Sequence, residues 1–257
     1  MTSVRARTDE RGIVWLTLAR PERKNAFDAA TIAELTHAAR AMDANARAVV
    51  LAGEGDSFCA GADLNWMKSM VDYGLAQNVA DSRALAEMFA ALDDLAMPLV
   101  VRVQGAALGG GAGLVAIADI AVASSDAVIG FTEVRVGIIP SVVSPYVVRR
   151  VGPARATSLF VSGIRLDAEH AHRLGLVDDV VAPGELDARV TYWLDAILAG
   201  GPNAVNAAKR IVRDVAGRPV ADVRQLTVER IAQMRVSEDG QEGMRAFLER
   251  RRARWPR

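Results

Sequence analysis

Residues 99–113 read LVVRVQGAALGGGAG and carry the densest structural signal in this 257-residue chain. The β-branched run Leu99–Val103 follows Pro98 and predicts a buried strand, after which Gly105 turns the chain. Gly109–Gly111 then leads into a short apolar segment that predicts a helix. Free N–H groups at a helix start bind negative oxygen because the helix dipole favours negative charge there. Taken alone, a small-residue turn more often serves close packing, so its chemistry depends on what lies beside it.

A second turn of the same type occurs earlier in the chain. Ser57–Leu64 reads SFCAGADL, follows a predicted strand and precedes a helical stretch. Its small side chains leave the backbone N–H groups unobstructed. If the two turns converge, their N–H groups form an oxyanion hole, which is a pair of donors that stabilises charge developing on a carbonyl oxygen.

The rest of the chain alternates between strand and helix patterns. Strands are predicted at Ile13–Leu18, Ala48–Leu51, Asp119–Ala123, Ala127–Gly130 and Val177–Val181, and helices at Thr31–Met42, Asp81–Ala96, Pro153–Phe160 and Ala168–Leu174. Asp81 is the expected N-cap of its helix, and the last quarter is helical with breaks near Gly200–Pro202 and Gly217–Pro219. This order predicts an α/β core over residues 1–183 and a helical region over residues 184–257.

Composition excludes several classes of protein. The chain is 51% hydrophobic and balances 31 Lys+Arg against 31 Asp+Glu, which excludes a disordered chain and argues against nucleic-acid binding over the whole surface. Cys59 is the single cysteine, so no intrachain disulfide can form and a reducing compartment is favoured. The N-terminus lacks the apolar stretch of a signal peptide, and the longest charge-free apolar runs are too short for a membrane helix. We therefore expect a cytoplasmic protein that binds neither membrane nor nucleic acid.

Common catalytic and cofactor motifs are missing from the sequence. It has no Gly-x-Ser-x-Gly nucleophile elbow, no Gly-x-x-x-x-Gly-Lys-Ser/Thr phosphate loop, and no His-x-x-x-His or Cys-x-x-Cys metal spacing. The Gly109–Gly113 cluster does not fit the Gly-x-Gly-x-x-Gly pattern of dinucleotide-binding folds. We therefore expect no metal and no separate cofactor.

Five segments, in order, resemble those of the enoyl-CoA hydratase/isomerase (crotonase) superfamily. They are 18–27 LARPERKNAF, 57–64 SFCAGADL, 104–111 QGAALGGG, 131–140 FTEVRVGIIP and 242–249 EGMRAFLE. The resemblance runs from Val14 to the C-terminus and implies a ClpP/crotonase-like spiral of ββα units with a C-terminal helical trimerisation region. It also implies an acyl-CoA thioester substrate, with coenzyme A as part of the substrate, and a homo-oligomer that is a trimer or a dimer of trimers.

The resemblance implies a catalytic role for three residues. The backbone N–H groups of Ala62 and Gly110 would hold the thioester oxygen, and Glu133 would be the general acid/base. Many hydratases of the superfamily carry a second catalytic glutamate, and its position here is Gly113. The implied substrate and CoA contacts are Arg23, Lys24, Ala60, Asp63, Leu64, Gly109, Gly113 and Trp255. Trp255 would stack on adenine, and the Arg-rich end around it would complete the CoA site of a neighbouring subunit.

Within the superfamily, the chain is similar to bacterial methylglutaconyl-CoA hydratases and their isoprenoid-acid relatives. Residues 60–67 AGADLNWM, the glutamate-less GGGAGL and residues 139–146 IPSVVSPY carry this similarity. Those enzymes act on branched enoyl-CoAs with a distal carboxylate, for which Arg135 or Arg149 is the candidate partner. The sequence thus predicts an enoyl-CoA hydratase, with a Δ3,Δ2-enoyl-CoA isomerase or a non-catalytic acyl-CoA- or RNA-binding protein as alternatives.

Overall fold

The computed structural model describes residues 2–255 and has the α/β architecture that the sequence predicts. Within that range the strands are β1 (Val4–Thr8), β2 (Ile13–Leu18), β3 (Ala48–Gly53), β4 (Leu99–Val103), β5 (Ala106–Leu108), β6 (Ile120–Ser124), β7 (Val128–Gly130), β8 (Arg165–Asp167) and β9 (Asp179–Val181). The helices are α1 (Ala29–Arg40), α2 (Leu64–Met70), α3 (Leu75–Asp93), α4 (Gly110–Ile117), α5 (Ser144–Val151), α6 (Pro153–Ser162), α7 (Ala168–Arg173), α8 (Leu186–Leu198), α9 (Pro202–Val215), α10 (Val220–Val236) and α11 (Glu238–Leu248). Short 3₁₀ helices cover Pro21–Arg23, Glu133–Val136 and Pro183–Glu185.

The strands form two sheets that the chain visits alternately. In the larger sheet the order is β1-β2-β3-β4-β6-β9, with β1 antiparallel to β2 and each later pair parallel. In the smaller sheet β5 pairs in parallel with β7, and β7 pairs with β8 in antiparallel fashion. The chain enters the larger sheet at β4 and β6, crosses to the smaller at β5 and β7, and continues into helix each time. This repetition is the predicted spiral of ββα units.

The centre of the larger sheet is covered on both faces. Residues 48–52 of β3 are all buried. Val49 and Leu51 pack in the cluster that contains α1, α3 and α4, whereas Val50 packs on the other face with Leu194 of α8. A strand covered on both faces needs a continuous apolar run rather than alternation, and that run is the pattern from which β3 was predicted.

Helices alone follow β9 in the described part of the chain. The first of them, α8, still belongs to the sheet packing because Leu186, Val190 and Leu194 are buried against it. Beyond α8, helices α9, α10 and α11 pack on one another. The predicted boundary at residue 183 therefore marks a change in the order of elements, while packing continues across it.

The helix predicted at Asp81–Ala96 has different ends in the structure. It is α3, which begins at Leu75 after the N-cap Gly74, so the prediction that Asp81 caps it is wrong. The six residues before Asp81 include neither glycine nor proline, and the helix extends back through them. The Asp81 carboxylate instead accepts a hydrogen bond from the Trp66 indole at 3.1 Å, which fastens α2 to α3.

Among residues 2–255, no helix combines the length and the apolar character needed to cross a membrane.

Ion pairs attach the C-terminal helices to the core. The buried Asp93, at the end of α3, accepts hydrogen bonds from Arg149 of α5 at 3.0 Å and from Arg213 of α9 at 3.1 Å. One turn earlier on α9, Lys209 contacts Asp119 at 2.7 Å. The Asp93 carboxylate therefore links α3 to both α5 and α9 through ion pairs.

Replacing Asp93 with Asn should lower the free energy of unfolding by about 2–3 kcal/mol, because two guanidinium groups then lose their shared carboxylate. Chemical denaturation measures this. Glu87→Gln is the matched control, since Arg40 and Glu87 pair at 3.2 Å with side chains 61% and 50% exposed. That change should cost no more than about 0.5 kcal/mol. Equal losses in the two variants would contradict the role given to Asp93.

Candidate active site

Backbone hydrogen bonds join the two glycine turns. The Cys59 N–H donates to the Ala106 carbonyl at 2.9 Å, and the Leu108 N–H donates to the Cys59 carbonyl at 2.9 Å. The turn after β3 thus runs beside β5. Gly61 has a φ of +96°, and a Cβ there would lie 3.0 Å from the Leu108 carbonyl oxygen, so a side chain at this crossing would be strained. The convergence that the sequence left open is therefore present.

Two backbone N–H groups are free at this junction. Within the described residues, neither the Ala62 N–H nor the Gly110 N–H donates to an acceptor in the protein. Ala62 is exposed, and Gly110 is the half-buried first residue of α4. Gly109 before it has a φ of +53° and donates its own N–H to the Gly130 carbonyl at 2.8 Å. Two donors that bond to nothing else in the chain are what an oxyanion hole requires.

Glu133 brings a carboxylate to the same place. It begins the 3₁₀ helix shortly after β7, and its Oε1 lies 3.5 Å from where a Cβ on Gly109 would be. Its Oε2 is buried and has no hydrogen-bond partner in the described part of the chain. Burial raises the pKa of this carboxyl above its usual value, and a bond from its own backbone N–H opposes the rise only in part. A raised pKa makes the Glu133 carboxylate a stronger proton acceptor than an exposed glutamate.

The position of the second family glutamate is closed to a side chain. A Cβ on Gly113 would lie 2.4 Å from Val143 Cγ1 and 2.9 Å from Phe89 Cζ. Phe89 in turn stacks on Tyr146, with ring centroids 5.8 Å apart. The side of the site at Gly113 is therefore apolar and filled, and a carboxylate there would require Val143 and Phe89 to move.

Comparison with known proteins agrees with this geometry. The family model described as enoyl-CoA hydratase/isomerase matches residues 8–257. The chain belongs to the enoyl-CoA hydratase/isomerase family. It is 34% identical over 245 residues to 2,3-dehydroadipyl-CoA hydratase of Escherichia coli, covering 93% of each chain. It is 31% identical over 249 residues to crotonyl-CoA hydratase of Syntrophomonas wolfei, covering 95% of this chain and 94% of that protein.

Solved structures of the family share the whole fold. An enoyl-CoA hydratase from Shewanella pealeana superimposes with a TM-score of 0.93 at 35% identity, covering 98% of this chain and 96% of that one. An enoyl-CoA hydratase from Mycobacterium smegmatis gives a TM-score of 0.94 at 33% identity, covering 99% of each chain. The superfamily resemblance and the crotonase fold inferred from the sequence are both confirmed.

Four of the predicted CoA contacts lie around the Ala62 turn. The Ala60 N–H donates to the Lys24 carbonyl at 3.0 Å, which places the segment with Arg23 and Lys24 at the edge of the site. Both cationic side chains are exposed, and Leu64 is 73% exposed. Exposed lysine and arginine beside an apolar side chain suit a phosphate-bearing ligand with an apolar arm. Their contact with CoA stays a prediction.

Asp63 holds the Ala62 turn in place. Its Oδ2 accepts from Arg20 at 3.0 Å, and its Oδ1 accepts from the Asn65 N–H at 2.7 Å as the N-cap of α2. Burial alone would raise the pKa of the Asp63 carboxyl, but bonds from the Asn65 and Trp66 N–H groups and the Arg20 charge outweigh burial and lower it. Asp63 is therefore an ionised, buried anchor directly after Ala62, and its predicted contact with CoA is untested.

Trp255 lies in the helical region of its own protomer. Its indole N–H donates to the Ala199 carbonyl at 2.8 Å, and its ring lies 3.1 Å from where a Cβ on Gly243 would be. Arg251 and the Arg254 N–H both bond to Glu242, which fixes this end of the chain against α11. These contacts are all internal to the helical region, and stacking of Trp255 on adenine stays a prediction.

Three residues of this site were not predicted from the sequence. Phe27, Phe89 and Val143 carry no reactive group, and they act by filling space against Gly110 and Gly113. The available signal was indirect, since a glycine inside or at the start of a predicted helix costs helix stability and therefore indicates that another group packs closely against it.

Gly113→Ala should lower the free energy of unfolding by about 1–3 kcal/mol, because its Cβ would overlap Val143. Val143→Ala alone leaves a void and also lowers stability, but in the double variant the methyl group at position 113 enters that void, so the double variant should lose less than the sum of the two single losses. Gly184→Ala is the control, since no described atom lies within 4 Å of a Cβ there. Denaturant titration measures all four variants. If the two single losses add up in the double variant, the packing described around Gly113 is wrong.

Proposed function

We propose that this protein is an enoyl-CoA hydratase, which adds water across the double bond of a 2-enoyl-CoA thioester. The observation that carries the proposal is the buried Glu133 Oε2, which has no hydrogen-bond partner among residues 2–255, near two backbone N–H groups that are also unpaired among those residues. The names of the E. coli and S. wolfei relatives support the same reaction class.

The two N–H groups would stabilise the charge that forms on the thioester oxygen. When water oxygen attacks Cβ, the electron pair of the double bond moves toward the carbonyl and produces an enolate oxygen. Donors from Ala62 and Gly110 are fixed before the reaction begins, so no reorganisation is needed as the charge develops. Loss of one such donor typically costs about 3–4 kcal/mol of transition-state stabilisation.

Glu133 would handle both proton transfers. As a carboxylate it accepts a proton from the attacking water while the C–O bond forms at Cβ. As a carboxylic acid it then gives that proton to Cα of the enolate, which restores the thioester and returns Glu133 to its starting state. One group can serve twice because its raised pKa keeps acid and base forms close in energy. The filled space at Gly113 supports this single-carboxylate scheme.

Glu133→Gln should reduce kcat by about 10²- to 10⁴-fold, since an amide neither accepts nor returns the proton. Loss of enoyl-thioester absorbance measures turnover. The control is Glu185→Gln on an exposed carboxylate, which should leave turnover unchanged. Unchanged turnover in Glu133→Gln would overturn the mechanism.

The same substitution should stabilise the fold at neutral pH. Burial makes the native pKa of Glu133 higher than the unfolded value, so the native state binds the proton more tightly. Stability is then fully present below the unfolded pKa of about 4.3 and falls as pH rises through the native pKa. Glu133→Gln should therefore melt above wild type at pH 7, and the difference should vanish in acid. Thermal scans across pH provide the measurement, and a variant that melts below wild type at pH 7 would contradict this.

A Δ3,Δ2-enoyl-CoA isomerase is the second candidate. A lone carboxylate, with no side chain at Gly113 to act as a second one, also suits the transfer of one proton between two carbons of the acyl chain. A 3-enoyl-CoA substrate separates the two functions, because an isomerase forms the 2-enoyl thioester without adding water. The RNA-binding alternative rested on the basic C-terminus, where Arg251 pairs with Glu242 and Glu249. Those pairs offset part of the positive charge.

For the acyl group, we propose a branched chain with a distal carboxylate. Arg149 is a poor partner for it because its guanidinium already binds Asp93. Arg135 is exposed, and within the described residues its guanidinium donates through Nε to the Gly163 carbonyl, which leaves its two terminal nitrogens for a ligand. We expect 3-methylglutaconyl-CoA to be hydrated at least as fast as crotonyl-CoA in a substrate panel. If crotonyl-CoA reacts far faster, the branched substrate is wrong.

We also propose a homotrimer, or a dimer of trimers, in a cytoplasmic setting. Phe247 and Leu248 at the end of α11 are 82% and 79% exposed, which suits a surface covered by another copy. In such an assembly the Arg-rich end with Trp255 could reach a neighbour's CoA. A buried, unpaired Cys59 is compatible with a reducing compartment.

A further inference from the structure

We infer that Phe27 is a positioning residue that sets the separation of the two oxyanion donors. Its backbone would hold the turn that contains Ala62, and its ring would hold the start of α4 at Gly110. This inference rests on the proposed function, because it concerns the same pair of N–H groups.

The backbone of Phe27 brackets Ala62. The Phe27 N–H donates to the Gly61 carbonyl at 2.7 Å, and the Phe27 carbonyl accepts from the Asp63 N–H at 2.7 Å. These two bonds form a parallel bridge between Phe27 and Ala62. They hold the residues before and after Ala62 while its own N–H stays free. The direction of that N–H is therefore fixed from both sides.

The ring of Phe27 lies against Gly110. Its Cε2 and Cδ2 atoms lie 2.6 and 2.9 Å from where a Cβ on Gly110 would be. Phe27 is only 2% exposed, so the ring is enclosed and cannot swing away. The start of α4 thus rests on a rigid planar group that belongs to the residue bonded around Ala62. Packed interiors transmit such contacts because they leave little free volume.

A single guanidinium ties the neighbours of Phe27 together. Arg20 donates to the Ala26 carbonyl at 3.0 Å, and it contacts Asp28 at 2.8 Å and Asp63 at 3.0 Å. The residues on either side of Phe27 and the residue after Ala62 therefore share one anchor. Phe27, which lies between Ala26 and Asp28, is the residue of this segment whose side chain lies against Gly110.

Phe27→Ala separates the two contacts. It keeps the backbone bridge to Ala62 and removes the ring from Gly110, so the donors should lose their fixed spacing. A displacement of about 1 Å in such a site can cost on the order of 10²-fold in rate. We expect kcat to fall by about that factor while KM changes much less. Phe27→Leu, which keeps an apolar side chain near Gly110, should retain most of the activity.

The direct readout is polarisation of a bound thioester. 4-(Dimethylamino)cinnamoyl-CoA absorbs at longer wavelength when hydrogen bonds pull charge onto its carbonyl oxygen. Wild type should shift this band to the red, and Phe27→Ala should shift it less at saturating ligand. Leu194→Ala is the control, because it truncates a buried side chain on the opposite face of the larger sheet. It should lower thermal stability and leave the red shift intact.

Gly110→Ala tests the contact from the other side. Alone, its Cβ should collide with the ring and reduce the red shift. In the Phe27→Ala background the same Cβ enters the space that the ring has left. The red shift of the double variant should therefore fall by less than the sum of the decreases in the two single variants. Such non-additivity marks a direct contact. Should Phe27→Ala fail to fold, Phe27→Val, which fills more of the core but ends at Cγ, takes its place.

The outcomes separate this inference from the proposed function. Glu133→Gln should keep the full red shift while losing turnover, because it leaves both donors untouched. A wild-type protein that polarises the probe yet hydrates no enoyl-CoA would leave the role of Phe27 standing and overturn the hydratase. A full shift in folded Phe27→Ala or Phe27→Val, or strict additivity with Gly110→Ala, would overturn the role of Phe27. A wild-type protein without any shift would overturn both.

Discussion

The site depends on the pair of backbone hydrogen bonds that joins Cys59 to β5. They place two turns from distant parts of the sequence side by side, one carrying Ala62 and the other leading to Gly110. Glycine suits the crossing of the two turns, since Gly61 has a φ of +96° and a Cβ there would lie 3.0 Å from the Leu108 carbonyl oxygen. The backbone N–H groups that we propose as oxyanion donors are therefore placed by the connections between the two sheets.

The sequence predicted those features whose cause is local. Continuous apolar runs identified β2, β3 and β4, and the glycine turns marked both sides of the oxyanion hole. It did not predict the role of Asp81, because a carboxylate at a helix start and one bonded to a distant indole look alike in sequence. It also missed the short strands β5 and β8, whose three residues each are held by neighbours rather than by their own propensity.

Packing partners were the hardest part of the site to predict. Glu133, Ala62 and Gly110 could be named from motif resemblance, since each stands in a recognisable string. Phe27 and Val143 also stand in strings that carry the resemblance, but their importance, like that of Phe89, lies in which glycine they touch, and such contacts join residues far apart in the chain. The Arg149–Asp93 pair likewise could not be foreseen, and it removes one of the two arginines considered for the acyl group.

The filled space around Gly113 limits how this chain can change over generations. A descendant that acquired a glutamate at that position in one step would first meet the side chains of Val143 and Phe89. Val143 and Phe89 would first have to be replaced by smaller side chains. Each intermediate would then have a void beside Gly113 and no second carboxylate. A single substitution therefore does not give this chain a second carboxylate at position 113, because its neighbours Val143 and Phe89 must change as well.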